Sequence, residues 1–339
     1  MMPTPHVFSV FALMMTTQAH GSLGEYDAHG EQTILDRADR RQNFNYEIRT
    51  ADGRKASTFC KTYTFNQTVA WHNSDGAFGY HISCLKQRRK NRRLAIWIHG
   101  GPWAPASKDL VLDQLAFLDS GYDLYVLLYP GSSDRPVKFE GPVMVPDVVD
   151  ALAEIKVAVG WGRKHYERVD VVGESFGAFL AASAAPSLGQ DNSLFLINPS
   201  LGGKNRLEEY YAGRPEDALV EGIPKERARA EVKRITDAYF ARLHAYAPLR
   251  LLESAEGLKL KLVYGGRDEL MKPEEIQSIV RLAVHGCGVD YRADNGHESG
   301  NTPEQFESFR ELIRCGDVQR SHGRPHPKTG GRNGDDVRN

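Results

Sequence analysis

Residues 169–185 read VDVVGESFGAFLAASAA. An apolar run, Val169 to Val172, precedes the pentapeptide GESFG at 173–177, and a stretch of small residues, Ala178 to Ala185, follows it. A strand, a sharp turn and a helix in this order place the serine of a G-x-S-x-G motif at the apex of the turn. Glycines two residues to either side remove the Cβ atoms that would collide there. The pattern predicts a nucleophilic Ser175, with an ordinary turn serine as the alternative.

A second glycine turn lies upstream, where HGGPW at 99–103 ends the apolar run Leu94 to His99. Glycines at a strand end expose backbone N–H groups, and an acyl-transfer enzyme needs two such donors for the oxygen that becomes negatively charged. We assign these donors to Gly101 and to Phe176, because Phe176 follows Ser175 at the start of the predicted helix. The alternative is a strand-ending turn with no catalytic role.

Two further polar side chains follow apolar runs downstream. Asp268 comes after residues 260–264, and His297 comes after residues 289–292. A serine hydroxyl is a weak nucleophile at neutral pH, so it needs a base, and a third group must hold that base in one tautomer. We predict that His297 is the base and that Asp268 orients it. The chain order of serine, aspartate and histidine is one of the three known for such triads.

Other polar residues near these motifs are given structural roles. Glu298 adjoins His297, but neighbours in an extended loop point to different sides, so Asp268 is the better partner. Arg267 could tune Asp268, and the alternative is a solvent-exposed loop arginine. His99 is interpreted as structural, because the loop after the last strand already supplies a base.

Three residues are candidate substrate contacts. Trp103 ends the HGGPW segment, and Glu208 and Glu209 lie in a charged, helix-prone stretch. The alternative for the two glutamates is a solvated helix face.

Short apolar runs alternate with amphipathic stretches over most of the chain, which is the pattern of a parallel sheet with crossover helices. The runs predicted as strands are residues 94–99, 124–129, 169–173, 194–198, 260–264 and 289–292. Residues 108–119 and 147–159 carry apolar side chains at helical spacing. Residues 302–305, TPEQ, begin a last helix with a capping hydroxyl and a proline at its first position. The fold class is therefore α/β.

Antiparallel strands are predicted before the parallel part. Residues 62–65 and 80–83 alternate in polarity, and the segment NSDG at 73–76 between them is a turn signal. These residues predict a hairpin at the edge of the sheet.

Taken together, the four motifs at strand ends resemble those of α/β-hydrolases over about residues 46–315. HGGPW resembles the HGGP of prolyl oligopeptidases and proline iminopeptidases, and GESFG resembles the nucleophile motif of the former. Ala178 stands where prolyl oligopeptidases usually carry another glycine, and Trp103 where proline iminopeptidases usually carry one. The resemblance implies an α/β-hydrolase fold with a mostly parallel central sheet flanked by helices, antiparallel N-terminal strands and a short helical lid. In aminopeptidases that this chain resembles, acidic residues of a lid bind the free amino group of the substrate, and the resemblance implies the same role for Glu208 and Glu209.

The chain is divided by composition. Residues 7–15, VFSVFALMM, precede the small-residue site TQA at 17–19 but follow a flank without Lys or Arg. The alternative to an export signal is therefore a disordered or docked N-terminus. The predicted parts are a signal peptide at 1–19, an N-terminal extension at 20–45, a hydrolase domain at 46–316 with a lid insertion at 199–257, and a disordered tail at 317–339. An insertion without a gating role is the alternative to the lid.

The four cysteines leave the redox state open. Pairing Cys60 with Cys84 and Cys287 with Cys315 is one of three connectivities. Four reduced, buried thiols are the alternative.

Composition excludes several classes of partner. The formal net charge of −1 gives no cationic field for phosphate backbones, so we expect no nucleic acid partner. The chain has no run of about 18 apolar residues, so we expect no stable membrane span. Neither metal-ligand spacing nor a nucleotide-binding glycine pattern is present, so we expect no metal and no cofactor.

The sequence thus favours a serine hydrolase that cleaves a carboxylic ester or amide of a small molecule or short peptide. The alternatives are an aminopeptidase-like serine peptidase, an acyltransferase, and a catalytically silent binding protein on the same scaffold. We expect a secreted or periplasmic protein, with a cytoplasmic one as the alternative; the sequence leaves the oligomeric state open.

Overall fold

The computed structural model describes residues 40–43, 62–72, 75–84, 93–101, 111–130, 132, 148–189, 192–201, 246–284, 286–297 and 302–315. All of them belong to one structural unit, Ala38–Asn339. The predicted signal peptide, the C-terminal tail and residues 202–245 of the predicted lid lie outside the described residues.

A mixed nine-stranded sheet forms the centre of the described part of the chain. Its strands are β1 (Arg40–Asn43), β2 (Thr62–His72), β3 (Asp75–Cys84), β4 (Arg93–Ile98), β5 (Tyr122–Leu127), β6 (Arg168–Glu174), β7 (Ser193–Ile197), β8 (Lys259–Gly265) and β9 (Val289–Arg292). They lie in the order β1-β2-β3-β5-β4-β6-β7-β8-β9. Pairing is antiparallel from β1 through β3 to β5 and parallel from β5 to β9. The predicted α/β fold class is confirmed.

Most strands coincide with the sequence patterns that predicted them. The apolar runs gave the positions of β4 to β9, and the alternating runs gave the β2–β3 hairpin, whose closing pair is His72 with Asp75. The strand β1 was not predicted. It lies in the polar segment at 20–45 that the sequence assigns to an N-terminal extension, yet its residues pair with Thr62–Phe65 of β2. Its sequence, RRQN, has no alternation of apolar and polar residues that would have predicted a strand. Such a strand can still form at the edge of a sheet, because backbone hydrogen bonds to its neighbour hold it there.

Helices connect the parallel strands. They are α1 (Leu112–Asp119), α2 (Val148–His165), α3 (Phe176–Leu188), α4 (Pro248–Ser254), α5 (Pro273–Leu282) and α6 (Pro303–Arg314). At the start of α6 the predicted cap is present, since the Gln305 N–H donates to Thr302 Oγ1 at 3.3 Å and the Thr302 N–H donates to Gln305 Oε1 at 3.1 Å. In the described ranges, no helix combines the length and the hydropathy that a membrane crossing requires.

The sheet separates two hydrophobic cores. Along β4, Leu94, Ile96 and Ile98 face one core, while Ala95 and Trp97 face the other, as expected for side chains that alternate along a strand. The first core includes buried residues of α2, α3, α4 and α5, and the second includes those of α1 and α6. Helices therefore cover both faces, which explains why the parallel strands read as continuous apolar runs.

One helix of the predicted lid insertion packs against the helices over the sheet. The helix α4 falls within 199–257, and its Leu252 is buried in the same core as α3. Just before α4, the ring of Tyr246 lies edge-on to that of Phe179 in α3, with centroids 6.3 Å apart. This end of the insertion is thus part of the helical layer over the sheet.

A disulfide joins Cys287, which precedes β9, to Cys315, which follows α6. It is one of the two pairs suggested by sequence, so the alternative of four reduced thiols is wrong. Cys84 is buried in β3, and its suggested partner Cys60 lies outside the described residues.

Candidate functional site

Ser175 lies at the sharp turn between β6 and α3. Its backbone has φ 51° and ψ −115°, a conformation that residues other than glycine rarely adopt and that costs about 1–3 kcal/mol. The Ser175 N–H donates to Ile197 O of the neighbouring strand β7 at 2.9 Å, and its carbonyl accepts from the Ala178 N–H at 3.0 Å. These contacts hold the serine at the apex that the G-x-S-x-G pattern predicted.

The flanking glycines are required by close backbone contacts. A Cβ on Gly173 would lie 2.5 Å from Gly177 O. A Cβ on Gly177 would collide with the carbonyl oxygens of Ile98 and His99 at the end of β4. The colliding atoms belong to the backbone and cannot swing away, so the turn admits no side chain at either position.

Three side chains from separate loops form one chain of hydrogen bonds. Ser175 Oγ lies 2.5 Å from His297 Nε2, and His297 Nδ1 lies 2.8 Å from Asp268 Oδ2. The side chain of Asp268 is fully buried, whereas that of His297 is 25% exposed. Because a carboxylate only accepts hydrogen bonds, Nδ1 of a neutral His297 carries the proton and Nε2 is left to accept from the serine hydroxyl. The structure therefore brings together the three residues that the sequence assigned to this role.

The loops that carry Asp268 and His297 are in direct contact. The Arg267 N–H donates to Asn295 O at 2.9 Å, and a Cβ on Gly265 would collide with the backbone of Asn295. The second oxygen of Asp268 accepts from the Leu270 N–H at 2.9 Å. These contacts hold the aspartate within hydrogen-bond distance of His297 Nδ1. The Arg267 side chain is exposed and pairs with Asp294 at 2.8 Å, in agreement with its interpretation as a surface arginine.

A buried ion cluster anchors the strand before His297. Arg292, the last residue of β9, contacts Asp290 at 3.0 Å and Asp113 of α1 at 3.1 Å. Burial lowers the pKa of Arg292, but the two carboxylates more than offset this and raise it overall. The charged guanidinium thus ties β9 to α1, and the strand end that leads to His297 is held firmly.

The imidazole of His99 is buried beside the HGG turn and has two hydrogen-bond partners. Nδ1 lies 2.8 Å from Gly100 O, and Nε2 lies 2.6 Å from Ser132 Oγ. Its ring stacks on Tyr129 with centroids 4.4 Å apart. Burial lowers the pKa of His99 to about 4, although the hydrogen bond to Gly100 acts in the opposite direction. His99 is therefore neutral at physiological pH, with Nδ1 donating to the carbonyl, and it has a structural role.

The HGG turn passes beside the serine. A Cβ on Gly100 would lie 3.2 Å from Ser175 Cβ. Gly101 has φ 70°, which favours glycine, and its carbonyl accepts a hydrogen bond from the Tyr129 hydroxyl. Phe176, the other predicted oxyanion donor, begins α3 directly after Ser175. Both predicted donor segments thus lie next to the serine.

Asn198 was not singled out by sequence. It directly follows β7, is 2% exposed, and hydrogen-bonds to the backbones of His297 and Gly265. A polar residue after a buried parallel strand lies at the same sheet edge as the other site residues, and this position could have identified it.

The candidate substrate contacts Trp103, Glu208 and Glu209 lie outside the described residues, as does Glu298. Across the described ranges, no group of three or more His, Cys, Asp or Glu side chains could hold a metal ion.

No protein-family model matches the chain, and no curated protein matches it. Solved structures do resemble it. Est1E from Butyrivibrio proteoclasticus has a TM-score of 0.52 at 15% identity, over 73% of this chain and 97% of that protein. The esterase Pf2001 from Pyrococcus furiosus has a TM-score of 0.51 at 17% identity, over 74% of this chain and 92% of that one.

A third similar structure comes from a study of two prolyl endopeptidases, with a TM-score of 0.51 at 14% identity. The match covers 74% of this chain but only 38% of that protein. These neighbours share the α/β-hydrolase fold, and the sheet order and crossover helices described above agree with it. The chain therefore has the α/β-hydrolase fold.

Proposed function

We propose that this protein is a serine hydrolase that cleaves a carboxylic ester, or an amide, through an acyl-serine intermediate. The observation that carries the proposal is the hydrogen-bonded chain from Ser175 Oγ through His297 to the buried Asp268, with contacts of 2.5 and 2.8 Å. The strained turn at Ser175 adds support, because such strain is retained where it presents a reactive group.

In the first half of the reaction, Ser175 Oγ attacks the substrate carbonyl carbon while His297 Nε2 takes the hydroxyl proton. His297 then gives this proton to the leaving alcohol or amine, and the bond between the carbonyl carbon and the leaving group breaks. Asp268 stabilises the imidazolium and keeps its ring oriented through the contact at Nδ1.

The tetrahedral intermediate carries a negative oxygen. In the proposal, the N–H groups of Gly101 and Phe176 bind this oxygen, and the first turn of α3 adds the favourable end of its dipole. The hydrogen bonds of Tyr129 and His99 to the HGG turn support this, because they hold the turn in place before substrate arrives. Each such donor contributes about 10²- to 10³-fold in rate in other enzymes.

In the second half, a water molecule replaces the leaving group. His297 removes a proton from the water as it attacks the acyl carbon, and then returns the proton to Ser175 as the acid departs. We favour an ester over a peptide as substrate, because Ala178 and Trp103 depart from the peptidase motifs. A short peptide is the second substrate class.

The proposal is tested with a panel of p-nitrophenyl esters of varied chain length beside aminoacyl-nitroanilides. We expect ester hydrolysis with the higher kcat/KM, and a loss of at least about 10³-fold in Ser175→Ala. If the folded protein hydrolyses neither panel, or if Ser175→Ala retains full activity, the proposal is wrong. Preference for the nitroanilides would reassign the substrate to a peptide.

We also propose that the protein is exported. The Cys287–Cys315 disulfide supports this, because disulfides persist in oxidising compartments. Residues 7–15 add support, because they form an apolar stretch of the kind that signal peptides contain. Protein recovered outside the cytoplasm should begin after residue 19 on N-terminal sequencing. Full-length chain with reduced thiols, found only in the cytoplasm, would contradict export.

A further inference from the structure

The carboxyl end of β7 lies between the strands that lead to the nucleophile and to the acid. On one side, Ile197 O accepts from the Ser175 N–H at 2.9 Å. On the other side, the Asn198 N–H donates to Val263 O of β8 at 2.8 Å. Two consecutive residues thus connect the Ser175 turn with the strand that leads to Asp268.

The side-chain amide of Asn198 extends this connection to His297. Its Nδ2 donates to His297 O at 3.1 Å, and its Oδ1 accepts from the Gly265 N–H at 3.1 Å. Asn198 is only 2% exposed, so water competes little for either hydrogen bond. One planar amide therefore sets the separation between the backbone of the base and the end of the strand before the acid loop.

The backbone at this position is unusual as well. Asn198 has φ 43°, and it shares a positive φ with only one other non-glycine residue in the described ranges, Ser175. Asparagine tolerates this conformation better than other residues that have a side chain. Glycine would accept the backbone angle but would lack the amide, and alanine would lack both advantages. Asparagine's fit to this angle, together with its amide, explains both the backbone conformation and the two hydrogen bonds.

We propose that Asn198 is a positioning residue for His297, acting through the backbone of the base and through the strand end that precedes Asp268. This inference rests on the proposed serine hydrolase function. The amide suits the task because it presents a donor to a carbonyl and an acceptor to an N–H at the same time. Loss of the amide lets the His297 loop move relative to Ser175 Oγ, and small displacements of a base have large effects on rate.

The test compares Asn198→Gly with Asn198→Ala, and uses Ile155→Val as the control. Glycine removes the amide without backbone strain, whereas alanine removes it and adds strain. The control trims a buried side chain in α2 that takes no part in the site. For each variant, kcat and KM for a p-nitrophenyl ester, the rate of fluorophosphonate labelling and the thermal unfolding midpoint are measured.

We expect both Asn198 variants to lose about 10- to 100-fold in kcat and in labelling rate, with KM within about twofold of the wild type. The two should lose activity alike, although the glycine variant should unfold at the higher temperature. Ile155→Val should lower the unfolding midpoint and leave kcat unchanged.

A glycine variant with the wild-type kcat and labelling rate would overturn the proposal, because Asn198 would then serve only the backbone conformation. Activity that follows the unfolding midpoint across all three variants would overturn it too. A wild-type protein that neither hydrolyses esters nor reacts with the probe would instead contradict the proposed function, so the two failures are distinguishable.

Discussion

At the scale of single residues, the site combines a serine in a strained backbone conformation with a histidine and a buried aspartate that are joined to it by hydrogen bonds. Sequence could identify Ser175, Asp268 and His297 because each follows an apolar run that ends at the same edge of the sheet. Asn198 also follows an apolar run, so its place at this edge could have been predicted, but its hydrogen bonds could not, since they join it to residues 67 and 99 positions away. Such partners are set by the strand order rather than by local pattern.

The buried His99 predicts how stability depends on pH. Burial lowers its pKa from 6.5 to about 4, so between these pH values the unfolded chain binds a proton at His99 and the folded chain does not. The contribution of the neutral His99 to the stability of the fold is therefore fully present above about pH 6.5, and it is lost as the pH falls toward 4. The pKa difference corresponds to roughly 3 kcal/mol in the free energy of unfolding.

Urea unfolding of the wild type and of His99→Gln, at several pH values from about 7 to about 4, measures this effect. The wild type should lose roughly 3 kcal/mol more than the variant over this range, because glutamine does not titrate. Equal losses in the two proteins would show that His99 takes up a proton without cost in the fold.

At the scale of helices and strands, the structure follows local sequence signals closely where burial or capping dictates them. The TPEQ segment predicted the start of α6, because its side chains bond the free backbone N–H groups at that end of the helix. The apolar runs predicted β4 to β9, because strands covered by helices on both faces bury nearly all their side chains. The polar strand β1 has neither kind of signal and depends on β2 for its hydrogen bonds.

The disulfide between Cys287 and Cys315 joins the start of β9 to the end of α6, and we expect it to stabilise the fold. It joins two residues that are 28 positions apart and closes a loop that contains β9, the His297 loop and α6. In the chain-entropy account, a loop of this length stabilises the fold by about 3–4 kcal/mol. Dithiothreitol should therefore lower the free energy of unfolding of the wild type by about this amount in a urea titration.

The matched control is the double variant Cys287→Ser with Cys315→Ser. Its stability should be lower than that of the oxidised wild type, and dithiothreitol should lower it by about 3–4 kcal/mol less than it lowers that of the wild type. A wild type whose unfolding curve is the same with and without the reductant would contradict a stabilising role for this bond.

At the scale of the whole molecule, the carboxyl ends of five parallel strands place the site residues at one edge of the sheet. The strands β4, β6, β7, β8 and β9 lead to the HGG turn, Ser175, Asn198, Asp268 and His297 in that order. Sequence could predict the α/β class and could predict that Ser175, Asp268 and His297 each follow a strand. Contacts such as Arg292 with Asp113 could not, because they cross the molecule between α1 and β9 and leave no periodic pattern.

The central claim is that Ser175 is the nucleophile, and covalent labelling tests it most directly. The folded protein is treated with a fluorophosphonate probe, digested and mapped by mass spectrometry, with Ser175→Ala as the control. We predict one adduct per chain, on the peptide that contains Ser175, and none in the variant. A folded wild type that stays unlabelled, or one whose adduct lies on another residue, would contradict the account.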